Sequence, residues 1–338
     1  MKKIISLKTI AGSIIITIAI LMLIIITPGC KQPPATPTDT SQTVQETQTQ
    51  TETKVQTPVT ETVTETAPIE TQDQQTPDLS KEVETKFGKL EKTVANIGEI
   101  FSFIDQNIKD ASPELTSEMV YAVLKLCEEY KFDFTDKFNN PEVQSTINSL
   151  LTSFENIDLN ALLDTDNQKV RGLIQETIDK KYKLMSVEGF IMPLVDYKAY
   201  DIYKLNLTKE MIDYMDIKLD ESEHPSVLDA GIVIPIDDFV QRIIKSMDYV
   251  SNYPDSPRAA EVEQFNKGRI FMYFSGIDNN MVFDSSGKIL PDRLTEYQNI
   301  YSKYGDTEFG KILRSYLNIL EQEGYMRTQK VDDFLSNI

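Results

Sequence analysis

LSKEVETKFGKLEKTVANIGEIFSFIDQNI, residues 79–108, carries Leu79, Val83, Phe87, Leu90, Val94, Ile97, Phe101, Ile104 and Ile108 at steps of three or four. That is the period at which side chains return to one face of an α-helix, so the stretch predicts a long amphipathic helix. Such a stripe must be buried against other helices, and the fold class that follows is mainly all-α.

The same chemistry recurs downstream. Ser112-Pro113-Glu114 supplies a capping hydroxyl, a proline at the first helical position and an acid at the positive helix end. It predicts a helix to about Tyr130. Asn140-Pro141-Glu142 repeats the signal ahead of Val143, Ile147, Leu150, Leu151 and Phe154, and two starts of one type predict successive antiparallel helices. Asp166 is the expected cap of a helix carrying Val170, Leu173, Ile174 and Ile178, and Thr208 the cap of one through Met211, Met215 and Leu219. Pro235 opens a further helix with Phe239, Val240, Ile243, Ile244 and Met247, ending before Pro254.

Between Lys183 and Tyr200 the helical period fails. Leu184, Val187, Gly189, Phe190, Ile191, Pro193 and Val195 form a mostly apolar run, and Pro193 forbids an uninterrupted helix, so this segment is expected to be extended. From Asp196 to Tyr200 the chain is expected to turn back into helix. Met281–Leu290 reads as two short strands around a Ser-Gly turn and is a candidate to pair with the extended segment.

Two joints near the C-terminus look alike: Ser251-Asn252-Tyr253-Pro254-Asp255-Ser256 and Ser302-Lys303-Tyr304-Gly305-Asp306-Thr307. Each ends a helix with tyrosine and Pro or Gly, then offers Asp and Ser or Thr to cap the next. Tyr253 to Pro257, Tyr-Pro-Asp-Ser-Pro, resembles the inter-helix turn of tetratricopeptide-like repeats. That resemblance implies paired helices; the Trp, Leu-Gly and Tyr pattern of the repeat is absent. The expected architecture is a multi-helix bundle or short α-solenoid of about eight to ten helices over residues 79–338, with a minor β hairpin or extended segment. One arrangement divides it into lobes 79–182 and 183–338, meeting near Lys183 to Tyr200.

The N-terminal 30 residues have a different order. Lys2, Lys3 and Lys8 precede an apolar run from Ile10 to Ile26, which leads to Thr27-Pro28-Gly29-Cys30. Basic, apolar, then small-residue site is the order of a secretory signal. Gly29-Cys30 resembles the lipobox of bacterial lipoproteins, with Thr27 where that family usually has leucine. The resemblance implies lipidation of Cys30, a membrane-lipid anchor, and the extracytoplasmic face of the cell membrane. The competing reading is an uncleaved membrane helix, since the run is near the lower end of the ~17–25 residues that span a bilayer. Both readings place the rest of the chain outside. Residues 31–78 change to Thr, Gln, Glu, Pro and Val, without aromatics, and are expected to form a disordered tether.

Composition excludes some partners. The formal net charge is −19, and no Lys/Arg cluster is available for phosphate backbones, so nucleic acid is not an expected partner. Of two cysteines, Cys30 belongs to the signal site, which leaves Cys127 without an intrachain partner. Its spacing from Val120, Val123 and Leu124 puts it on a buried helix face as an inert thiol. With one histidine and no thiol pair, no His/Cys zinc site is expected, and no cofactor is called for.

No stretch specifies a reaction, and no catalytic residue is assigned. His224 sits in a polar loop before Pro225 without a recognisable nucleophile or orienting acid. Asp164-Thr165-Asp166-Asn167-Gln168 begins like a calcium loop, but Lys169 stands where glycine is needed and Gln175 where glutamate is needed, so a helix cap is expected. Glu188 and Asp196 are a formal carboxylate pair for sugar cleavage, in a chain without tryptophan platforms. The stretch around them is the most distinctive of the folded part. Glu188, Phe190, Asp196, Tyr197 and Tyr200 either border a ligand or partner groove or belong to a segment crossing between helices, the plainer reading.

Three functions fit these residues. The first is a binding or scaffolding lipoprotein for an envelope protein or the cell wall. The second is a solute-binding receptor of a transporter, although the alternating strand and helix pattern of most such receptors is missing. The third is a carboxylate-dependent wall hydrolase.

Overall fold

In the computed structural model, which describes residues 79–154 and 156–338, the stripe at 79–108 folds as two helices rather than one. Helix α1 spans Leu79–Lys89, a 3-10 turn follows at Val94–Asn96, and α2 spans Ile97–Asn107. The break is capped by a side chain: Lys92 Nζ donates to the carbonyls of Phe87 (2.8 Å) and Leu90 (3.3 Å) while lying 4.3 Å from the Phe87 ring centroid. Lys92 thereby adds a donor at the helix end, where Phe87 O also accepts from Leu90 N at 3.1 Å. The signal segment, Cys30 and the stretch 31–78 lie outside the described residues. No helix among the described residues is long and apolar enough to cross a membrane.

Helix α3, Pro113–Phe138, starts as its cap predicts, with Ser112 Oγ accepting from Leu115 N at 3.2 Å. It runs past Tyr130 because the stripe does not end there: Cys127, Tyr130, Phe134 and Phe138 are all buried. Tyr130 stacks on Phe134, and Phe134 meets Phe138 edge-on. Helix α4, Pro141–Leu150, is capped by Asn140, whose Oδ1 accepts from Glu142 N and Val143 N. It ends at Leu150, which leaves Leu150 and Phe154 exposed rather than in the core. The short α5, Leu159–Leu162, precedes α6, Gln168–Asp179. The cap of α6 is Asn167, one residue later than expected, accepting from Lys169 N and Val170 N. Asp and Asn cap about equally well, so the one-residue shift was not legible locally.

The extended segment closes on itself. Strands β1 (Tyr182–Val187) and β2 (Phe190–Val195) pair antiparallel across a two-residue turn, Glu188-Gly189, with φ of 51° and 81°. Positive φ at both turn positions matches the right-handed twist of a hairpin, and glycine makes the second one inexpensive. Met281–Leu290 is therefore not its partner. That stretch forms its own turn, with a Phe283–Ile289 bridge and Asp284 Oδ1 accepting from Ser286 N (2.8 Å) and Lys288 N (3.0 Å), and Lys288 bridges to Met326.

A 3-10 helix, Tyr197–Asn206, leads to α7, Lys209–Glu223, which Thr208 caps through Met211 N. A minimal hairpin, β3 (Val227–Leu228) and β4 (Gly231–Ile232), precedes α8 (Ile236–Asn252) and α9 (Ala259–Ser275). Then come α10 (Pro291–Tyr304), α11 (Glu308–Gln322) and α12 (Gln329–Ser336). The second joint closes tightly. Thr307 Oγ1 caps α11 by accepting from Gly310 N, and a Cβ on Gly310 would collide with the Tyr304 carbonyl and lie 2.7 Å from Gly305 Cα.

Two apolar clusters fill the described unit. The first gathers residues from Val83 to Ile217 and includes the β1–β2 hairpin, with Tyr249 and Val262 added from α8 and α9. The second runs from Phe239 to Leu335. The change falls across α7 and α8, so Lys183 to Tyr200 lies inside the first cluster rather than between lobes. Buried tyrosines in the second cluster find backbone acceptors: Tyr297 Oη donates to Tyr273 O at 2.7 Å and Tyr316 Oη to Phe274 O at 2.8 Å.

A polar seam joins the two. Glu221 of α7 accepts from Arg242 (2.9 Å) of α8 and Arg269 (2.7 Å) of α9. About three turns earlier on α7, Glu210 accepts from Tyr249, Ser256 and Arg258, the last through both Nε and Nη2. Tyr214 and Lys218 both donate to Glu261 of α9.

Candidate functional site

The residues singled out around the hairpin do not converge. Glu188 is exposed at the hairpin tip and Phe190 is half-buried beside it. Asp196, at the other end of β2, is used as a cap, its Oδ1 accepting from Lys198 N (3.1 Å) and Ala199 N (3.3 Å). A six-residue strand lies between the two carboxylates, which puts them roughly 20 Å or more apart at ~3.3 Å per residue. Glycoside cleavage needs its pair within about 10 Å, so Glu188 and Asp196 are not such a pair.

Tyr197 and Tyr200 point into the core. Tyr197 Oη donates to Glu128 Oε1 at 2.8 Å, and Tyr200 Oη donates to Cys127 Sγ at 3.7 Å. Burial pushes both phenols well above their ordinary range. With Lys204 and Leu207 they line a cavity of only about 10 Å³, room for one water at most. The crossing-segment reading is the one the packing supports.

The remaining sequence candidates are occupied by structure. Cys127 is fully buried and its thiol is pushed up to about 12, chiefly by burial. At the Asp164–Gln168 loop the carbonyls of Leu163 and Thr165 accept from Arg171, and Asn167 caps the helix that follows. His224 is exposed and ends α7, its carbonyl accepting from Arg242 at 2.7 Å.

Another concavity lies between the first turn of α8 and one face of α10. It is an open groove of about 400 Å³. Ile236 and Ile300 form its apolar walls, and Asp292, Thr295, Glu296 and Asn299 present polar groups from successive turns of α10. Asp237 closes one side. Lys303 (2.6 and 2.7 Å), Tyr304 (2.9 Å) and Gln241 (2.8 Å) all donate to it, and the lysine contact holds its carboxyl below the ordinary value.

Glu296 is the unusual member. It is half-buried, and burial raises its carboxyl above the ordinary value even though Arg293 donates to Oε2 at 2.8 Å. The Tyr273 hydroxyl sits against this carboxyl, and Tyr273 Oη and Glu296 Oε1 are both buried with no other partner. Among the described residues no three His, Cys, Asp or Glu side chains converge as a metal ligand set. What the groove can do is receive a hydrogen-bond donor or a cation: carboxylates at its rim and wall, apolar contact for an attached stem.

Sequence reasoning missed this groove because Ile236 and Ile300 are far apart in the chain. The local signal was present in Asp292, Thr295, Glu296 and Asn299, a polar face at helical spacing, but such a face is usually just solvated. Comparison of the chain with protein-family models, with curated proteins and with solved structures matches nothing.

Proposed function

We propose that this chain is a lipoprotein held by lipid at Cys30 on the extracytoplasmic face of a bacterial membrane, and that its helical domain is a binding or scaffolding module for an envelope or cell-wall partner. The observation that carries the reading is the order of the N-terminal residues. Lys2, Lys3 and Lys8, the apolar run Ile10–Ile26 and Gly29-Cys30 stand ahead of a Thr/Gln/Glu/Pro-rich stretch and a packed helical unit. On this reading residues 31–78 are the tether between them.

Two surface features support a binding role. One is the groove between α8 and α10. The other is an apolar knob on the 3-10 helix, where Ile202 is 65% exposed and Leu205 98% exposed. At about three residues per turn these two side chains eclipse one another and form one contact point.

Crosslinking in membranes that carry the full chain tests the reading. One envelope protein recovered at high occupancy is expected; recovery of transport subunits alone would replace scaffolding with solute delivery. Cys30→Ser is expected to abolish lipid labelling, and labelling that persists would remove the anchor.

A further inference from the structure

We propose that the apolar knob of Ile202 and Leu205 seats in the surface of the lipid bilayer that carries the anchor. This rests on the lipoprotein reading and adds to it a second membrane contact, made by the helical domain itself. The shape of the 3-10 helix, its charges and the point where the chain enters the domain all favour a lipid surface.

Three residues per turn give the 3-10 helix Tyr197–Asn206 three faces. Tyr197, Tyr200 and Tyr203 form the first and are buried, with Tyr203 Oη donating to Asp105 Oδ1 at 2.7 Å and Tyr197 Oη to Glu128 Oε1 at 2.8 Å. That side clamps the helix to α2 and α3. Ile202 and Leu205 share the second face and stand 65% and 98% exposed on a backbone fixed from behind. Lys198, Asp201 and Lys204 form the third face, all exposed, and Lys204 pairs with Asp216 of α7 at 3.1 Å. These charges cancel. A chain of formal charge −19 thus offers here an apolar contact that an anionic bilayer does not repel, flanked by lysines whose stems suit the headgroup level.

The entry point of the chain is a separate observation. Ser80 Oγ, at the start of α1, accepts from Ser112 N at 3.0 Å, and Ser117 Oγ, early in α3, accepts from Thr208 N at 3.0 Å. Through these contacts Ser80 and Thr208 lie no more than about 25 Å apart. Leu205 is three residues before Thr208, so the knob stands at the end of the first cluster where the chain enters it. On the tether reading, residues 31–78 span about 35–40 Å as a coil. Lipid at Cys30 therefore keeps this end near the bilayer at high effective concentration, where a contact of two side chains suffices.

The chain has no tryptophan, so a single introduced one reports its own surroundings. The test uses the full chain, purified from membranes and reconstituted on vesicles of phosphatidylcholine and phosphatidylglycerol with brominated acyl chains. Fluorescence of Leu205→Trp is expected to shift to the blue and to be quenched by the bromines. Met281→Trp, at a site 60% exposed beside the second cluster, is expected to be unquenched. Adding Ile202→Asp to Leu205→Trp is expected to remove most of the quenching, since a carboxylate resists entry into the bilayer. An unquenched Leu205→Trp would overturn the contact, and so would equal quenching at both sites, which would mean collapse of the whole domain onto the vesicle. A blue shift that needs added envelope proteins would assign the knob to a protein instead. Flotation separates this from the anchor reading. A chain that floats with the vesicles but is unquenched loses only the knob contact, whereas a chain that does not float loses the anchor and the contact with it.

Discussion

Arg269 Nη2 donates to Glu221 Oε1 at 2.7 Å across the α7–α9 contact, with the arginine side chain 1% exposed. Burial by itself would penalise both ions. Arg242 adds a second donor to the same oxygen, and Ser226 donates through backbone and hydroxyl to the other. The pair is therefore held in a network that links helices from both apolar clusters.

Removing one partner from such a pair strands the other charge away from water. Glu221→Ala is expected to destabilise the helical domain by about 3–5 kcal/mol. Urea unfolding of the wild type and the variant measures it. A loss under about 1 kcal/mol would show that Arg269 finds water or another acceptor.

Acid stability follows from three carboxyls. Glu128, Glu210 and Glu221 are each opposed by burial, yet each is held below its ordinary value by cationic and hydrogen-bonding neighbours. A depressed folded value contributes stability that is present above the unfolded value of ~4.3 and lost as pH falls through the folded value. Thermal melts should thus drop steeply below about pH 4, and Glu210→Gln should flatten that drop. Glu296 runs the other way, its raised value costing stability as pH rises. Melts that hold steady to pH 2 would contradict the network.

Two helical glycines should respond with opposite signs. Gly310→Ala drives a methyl into the Tyr304 carbonyl and is expected to cost about 1–3 kcal/mol. Gly268, partly exposed on α9, has nothing within 4 Å of where a Cβ would stand, so Gly268→Ala is expected to gain about 0.5–1 kcal/mol through helix propensity. Paired denaturant titrations read both, and matching signs would refute the close approach at the α10–α11 joint.

Cys127 reports global opening. Its thiol is buried beneath Tyr200 and raised to about 12, so thiolate is scarce at neutral pH. Labelling of native protein by an alkylating reagent is expected to proceed only at the rate of unfolding, with urea accelerating it in step with the loss of helical circular dichroism. Fast labelling in buffer would place the thiol at a surface.

Much of the helical skeleton was legible because caps and stripes act within about four residues. Ser112, Asn140 and Thr208 cap as their local sequence dictates, and Cys127 is as buried as its i−3, i−4 neighbours imply. Where two local signals were equivalent, at Asp166 and Asn167, the choice fell to the residue that sets the register of Val170. The hairpin was half legible: Pro193 announced extended chain, but the Glu188-Gly189 turn that folds that chain back on itself was passed over. Of the candidate site almost nothing was legible, since an acidic helix face reads the same whether water or a groove lies beside it.

The sequence by itself determined that residues 79–338 are mainly helical, where most helices start, and that Cys127 is internal, because periodicity and capping are short-range. Only the tertiary structure decided that the stripe at 79–108 breaks at Lys92, that β1 pairs with β2 and not with Met281–Leu290, and that Ile236 faces Ile300 across an acidic groove. Those outcomes depend on which surfaces exclude water from one another, and residues distant in the chain settle that together.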